Sequence, residues 1–160
     1  MTSSSNQFQL GRLQRYALVF FALIMAICLF VFRGGLDKQK SLDFLARRSL
    51  DPQIALSNGK PTLFEFYADW CEVCKEMAPM MVSIENKYND KVNFVMLNVE
   101  NPQWNDFLDI YNVNGIPQFN FFNKDGQPKG QAIGAKTEVQ IINLLDLLIE
   151  NGGVQDSMIL

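Results

Sequence analysis

Residues Tyr16 to Phe32 read YALVFFALIMAICLFVF, seventeen positions without a charge, proline or glycine, closed by Arg15 and Arg33. A run of that length is at the short end of what a spanning helix needs, and arginines that snorkel at its ends extend its reach. The pattern predicts a transmembrane anchor over 16–32. A cleaved signal peptide would also carry an apolar run, but no small-x-small cleavage site comes after it. A buried core helix is the weakest alternative, because a helix apolar all round is hard to house in so small a domain. Before the run, Met1 to Gln9 is polar and uncharged, and the stretch 1–15 reads as a disordered tail.

After the run the pattern changes twice. Over 33–59, Leu42, Leu45, Ala46, Leu50, Ile54 and Leu56 keep a loose helical spacing that Asp51-Pro52 interrupts, which predicts a linker and a first helix packed on the downstream domain. From Lys60 the alternation is regular. Thr62–Ala68 reads as a buried strand and Glu72–Tyr88 as a helix with a kink at Pro79. Val92–Val99 is a second strand, and Asn101-Pro102 opens a helix through Tyr111. Gln118–Asn123 and Lys129–Gly134 flank Lys124-Asp125-Gly126, a hairpin signal. Thr137 and Gln140 form a capping box for a last helix that Gly152-Gly153 stops. The order βαβαββα predicts an α/β domain over 60–152, a mixed sheet with helices on both faces, and a short tail over 153–160.

Composition narrows the chemistry. The 160 residues contain no histidine, which removes imidazole bases and histidine-ligated metal sites. Three cysteines are too few for a disulfide scaffold or a four-thiolate zinc site. From Lys60 onward the chain has 14 acids against 7 bases, so nucleic acid is not its partner. The remaining bases, Arg12, Arg15, Arg33, Lys38, Lys40, Arg47 and Arg48, gather around the apolar run, where lipid headgroups would meet them. Cys28, inside that run, has no base or water to make it a thiolate and reads as a packing residue.

Cys71 and Cys74 are different. They sit two residues apart where the first strand of the domain gives way to its long helix. Two thiols so spaced on the first turn of a helix can close a disulfide, and the helix N-terminus favours the thiolate of the leading one. Cys71 would then attack a partner's disulfide and Cys74 would resolve the mixed disulfide. A zinc half-site has the same spacing, but completing it needs a second chain; a purely structural disulfide stays open as an alternative.

The segment Phe64-Glu65-Phe66-Tyr67-Ala68-Asp69-Trp70-Cys71-Glu72-Val73-Cys74-Lys75, with Pro79, Gly115-Ile116-Pro117 and Gly134, resembles a thioredoxin. With the anchor added, the whole chain is similar to the membrane-anchored thioredoxin-like proteins of cyanobacterial and chloroplast thylakoids, the TxlA type. The resemblance implies a thioredoxin fold preceded by one transmembrane helix. It gives Ile116-Pro117 the role of a cis-proline loop whose backbone pairs with an extended substrate, with Trp70 as the aromatic beside the disulfide. Glu65 falls on the family's buried acid, which could take the proton of Cys74 through a water. Two departures from the family stand out: Met96 replaces a lysine near that acid, and Glu72-Val73 replaces Gly-Pro between the cysteines.

The function implied is a membrane-anchored thiol-disulfide oxidoreductase that reduces client disulfides in the lumen or periplasm, from a thylakoid or plasma membrane. Implied partners are disulfide-bearing proteins, apocytochromes or photosynthetic complex subunits among them, and a membrane thiol-electron donor. No cofactor or metal is implied beyond a redox-active Cys71–Cys74 disulfide. The alternative is a redox-inactive assembly module that holds clients in the groove around Trp70 and Ile116. Charge alone argues against the lumenal orientation. Two bases precede the run and five come after it, a count that would keep the domain in the cytoplasm. The acid-free amino-terminal tail and the acids Asp37 and Asp43 downstream blur that count, and the expected orientation is the one the resemblance implies. Electron flow is expected to be reducing. Glu72 opposes a thiolate at Cys71, Lys75, expected in solvent, offsets it only partly, and Glu72, Val73 and Lys75 together tune the couple. The potential should therefore lie nearer roughly −270 mV than the oxidant value of about −120 mV.

Overall fold

The computed structural model describes residues 11–151. The chain divides into two units, at Asp37 and Lys38. Helix α1 (Arg12–Arg48) supplies all of the described first unit after Gly11 and the opening of the second. In the first unit its apolar side chains, Phe20 and Phe30 among them, are exposed. It is the one helix among the described residues long and apolar enough to cross a membrane. Of the tail expected over 1–15, residues 1–10 lie outside the described residues, and 12–15 are helix instead. Arg12, Leu13, Gln14 and Arg15 are all good helix formers, which polarity alone had hidden. The linker expected from residue 33 is also helical, since Gly34-Gly35 lowers helix propensity without forbidding it. The Gly152-Gly153 stop and the tail over 153–160 lie outside the described residues.

The second unit begins with the last turns of α1, where Leu42 and Leu45 are buried. Asp51 ends the gap after α1 by capping α2 (Pro52–Ser57): its carboxylate accepts the N–H groups of Gln53 and Ile54 at 2.9 and 3.2 Å, and Pro52 occupies the first turn, where no N–H is needed. Strand β1 (Thr62–Tyr67) is buried throughout. Helix α3 (Glu72–Tyr88) carries Pro79 in its interior and returns the chain to β2 (Asn93–Asn98), parallel to β1. A 3₁₀ turn (Pro102–Trp104), capped by Asn101, leads into α4 (Asn105–Ile110). Strands β3 (Gln118–Phe122) and β4 (Pro128–Ile133) form an antiparallel hairpin. At its turn Gly126 has φ +71 and sits so close to the Leu56 carbonyl that a Cβ would meet it at 2.5 Å, so both conformation and space require glycine. Thr137 and Gln140 then exchange hydrogen bonds in the capping box of α5 (Glu138–Asn151): Thr137 N–H reaches Gln140 Oε1 at 2.8 Å and Gln140 N–H reaches Thr137 Oγ1 at 3.3 Å.

The sheet order is β2-β1-β3-β4. Alternation along β1 sends its side chains into two cores. Leu63 and Tyr67 enter one with Leu42, Leu45 and the inner faces of α3 and α5; Phe64 and Phe66 enter the other, against α2 and the ring-rich segment Trp104, Phe107 and Tyr111. Strand β2 would be a bare edge, but Ser49 and Leu50 cover it. Ser49 Oγ accepts the Met96 N–H at 2.8 Å, and the Leu50 N–H points at the Phe94 carbonyl at 3.5 Å.

Candidate active site

Between β1 and α3 the chain makes one tight connection, in which the Ala68 carbonyl accepts the Cys71 N–H at 3.1 Å. That connection delivers Cys71 to the N-cap of α3 in an extended conformation, with its Sγ accepting the Cys74 N–H at 3.2 Å. Cys71 and Cys74 are joined as a disulfide, Cα atoms 5.3 Å apart. Cys71 keeps 5% of its surface and Cys74 none, so an incoming sulfur meets Cys71 first. The Cys74 N–H and the positive end of the helix dipole both favour a thiolate at Cys71 once the bond opens.

Glu65 lies on β1 between Leu63 and Tyr67, and strand alternation places it on the face that also holds Cys74. It is 2% exposed, and its Oε2 has no hydrogen-bond partner among the described residues. Burial pushes its pKa up to about 8, with no cation to oppose the shift. Its neighbour across the parallel ladder is Met96, and on the other side Phe119.

The remaining predicted residues line the rim. Trp70 is 62% exposed, so it is not a packing residue, and Val73, three positions on in the first turn of α3, is exposed too. The Ile116-Pro117 bond is cis; Pro117 is buried at the start of β3, and Ile116 is half-buried between the two cores. Lys75 is the correction. Expected in solvent, it is largely buried, and its ammonium holds the Glu72 carboxylate at 2.9 Å. The i,i+3 spacing on one helix face brings the two together, so the Glu72 charge is partly compensated at close range. Among the described residues no group of three or more His, Cys, Asp or Glu is placed to hold a metal ion.

Three supporting residues escaped sequence reasoning. Asn98, at the end of β2, accepts the Glu100 N–H at 2.9 Å and reaches toward the Asp69 carboxylate at 3.5 Å, bracing the approach to Trp70. Lys38 pairs with Glu76 on α3 at 3.7 Å. Only the asparagine's place beside a strand end could have hinted at its role; the ion pair depends on how α1 docks.

A family model described as Thioredoxin matches residues 44–147. The chain is 52% identical over 112 residues to the "Thioredoxin-like protein HCF164, chloroplastic" of Arabidopsis thaliana, covering 70% of this chain and 42% of that one. It is 37% identical over 140 residues to the "Thiol:disulfide interchange protein TxlA" of Synechococcus elongatus, covering 88% and 73% respectively. Among solved structures, the germline-specific thioredoxin Deadhead of Drosophila melanogaster superposes with a TM-score of 0.54 at 27% identity, over 61% of this chain and 89% of that one. The chain spans about two fifths of the length of the HCF164 proteins it matches.

Proposed function

The chain belongs to the thioredoxin family, and on that premise we propose that it is a membrane-anchored thiol-disulfide oxidoreductase that reduces the disulfides of client proteins on the lumenal or periplasmic side of its membrane. The observation that carries the reading is the seat of Cys71 Sγ at the N-cap of α3, within 3.2 Å of the Cys74 N–H and joined to a fully buried Cys74. In the reduced protein the Cys71 thiolate attacks one sulfur of a client disulfide, forming a mixed disulfide and releasing the other client sulfur as a thiolate. In the fraction of molecules whose Glu65 is ionised, the Cys74 thiol then gives its proton to that carboxylate and attacks Cys71 Sγ. The bond between Cys71 and the client breaks, the client leaves with both its sulfurs reduced, and the Cys71–Cys74 disulfide is restored.

Glu65 suits the proton step because burial raises its pKa to about 8, which makes its ionised form a stronger base than an ordinary carboxylate. Trp70 and the Ile116-Pro117 loop supply the apolar surface and backbone edge against which an extended client segment lies. Electrons return to the disulfide from a thiol donor at the same membrane. The test is turnover of insulin disulfides by the full chain in detergent with a soluble dithiol as donor. Cys71→Ser is expected to abolish it, and Cys74→Ser to accumulate mixed disulfides through Cys71. Equal turnover by wild type and Cys71→Ser would overturn the reading.

A further inference from the structure

The point at which the chain enters the second unit bears on which disulfides Cys71 can meet. Lys38, the first residue of that unit, pairs with Glu76, while Arg48, at the end of α1, pairs with Glu85 at 3.3 Å. Residue numbers rise together in the two pairs, so the last turns of α1 run parallel to α3. The chain therefore enters at the end of α3 that carries Cys71. Glu76 lies five residues past Cys71, about 7.5 Å of helical rise, whereas entry beside Glu85 would have set the disulfide about 21 Å from the tether. From Arg33, which closes the apolar run, to Lys38 there are five residue steps, at most about 18 Å even if fully extended. That limit counts only the chain joining the two units and holds for any arrangement of them. At this end of α3 the apolar side chains of Trp70 and Val73 are exposed, alongside the exposed acids Asp69 and Glu72.

We propose that the Cys71–Cys74 site acts selectively on disulfides of integral membrane proteins that lie close to the bilayer surface, because the short tether enters at the disulfide's own end of the domain. This rests on reading 16–32 as an anchor and Cys71–Cys74 as the exchange site. The chemistry is the exchange already given: the reduced pair loses two electrons and becomes the disulfide, the membrane protein's disulfide gains them and becomes two thiols, and a dithiol donor resets the pair. A tether this short holds Cys71 at a high local concentration near the surface and at almost none beyond its span.

The test uses the full chain in liposomes with dithiothreitol as donor. Its targets are a disulfide peptide joined to a transmembrane helix by a few residues, the same peptide on a rigid helical spacer of about 60 residues, some 90 Å long, and the free peptide in solution. The near target is expected to be reduced at least about tenfold faster than the far one, and about 30 Gly/Ser residues inserted between Arg33 and Lys38 should bring the two rates within about threefold. Equal rates on both targets with the native tether overturn the proposal while leaving the exchange reading intact. No reduction of any target, the free peptide included, overturns the exchange reading instead. A chain that does not float with the liposomes overturns the anchor and this proposal with it.

Discussion

Glu65 and Met96 stand opposite each other across the parallel ladder of β1 and β2, a buried acid facing a thioether where the family places a lysine. With no cation beside it, the carboxyl is governed by burial alone and keeps its proton into the neutral range.

That raised pKa predicts how stability depends on pH. Unfolded, Glu65 titrates near 4.5; folded, near 8, so between those values the folded state binds more protons than the unfolded one. Its contribution is fully present below about pH 4.5, falls as pH rises, and is gone above about pH 8. The loss is on the order of 4–5 kcal/mol. Glu65→Gln should flatten this slope, as urea unfolding at a series of pH values would show. The same variant should slow resolution by Cys74 about 10²-fold, because an amide cannot accept the proton. A variant with the wild-type pH slope would exclude the assigned ionisation.

Met96→Lys restores a cation opposite the acid. The ammonium should lower the Glu65 pKa by about 1–3 units, moving the stability decline to lower pH. Carbon-detected NMR titration of the Glu65 carboxyl measures it directly. An unchanged titration would mean that the introduced lysine turns away from the acid.

Glu72→His should make the couple more oxidising for two reasons: it removes the carboxylate beside Cys71, and it releases the Lys75 ammonium that the carboxylate now holds. A shift of about +30 mV corresponds to about 1.4 kcal/mol of added thiolate stabilisation, readable by equilibration in a glutathione series. Lys75→Met should move the couple the other way, since Glu72 is then left uncompensated. No displacement in either variant would show that the helix terminus alone sets the potential.

Leu42 and Leu45 belong to the core of the second unit although they lie on the helix that carries the apolar run. Leu42→Ala should cost about 2–5 kcal/mol, as for other fully buried leucines, and a fragment starting at Lys60 should lose cooperative unfolding. Denaturant titration followed by tryptophan fluorescence tests both. A fragment as stable as the full chain would show that α1 packs without supporting the fold.

What could be read from the sequence was local. The strand-to-helix junction at Cys71, the Thr137–Gln140 capping box and the Asp51-Pro52 interruption each depend on residues within a few positions of one another, and each announces itself by residue type. Glu65 was reached only through its place in a recognisable segment; nothing in its immediate neighbours says that it is buried. The Glu72–Lys75 pair had the right spacing, but whether it closes depends on how far Lys75 sinks toward the core. Lys38–Glu76 and Ser49–Met96 were invisible, because each joins elements dozens of residues apart whose register is set by packing.

The hydroxyl of Ser49 gives the Met96 amide a partner on a strand that has no neighbour on that side. Since Ser49 directly succeeds the last turn of α1, that amide is shielded from solvent hydrogen only while the end of the helix is seated. Its exchange rate is therefore a built-in gauge of local opening: should the helix lift away without the domain unfolding, Met96 would exchange early while the interior amides of β1 stayed protected.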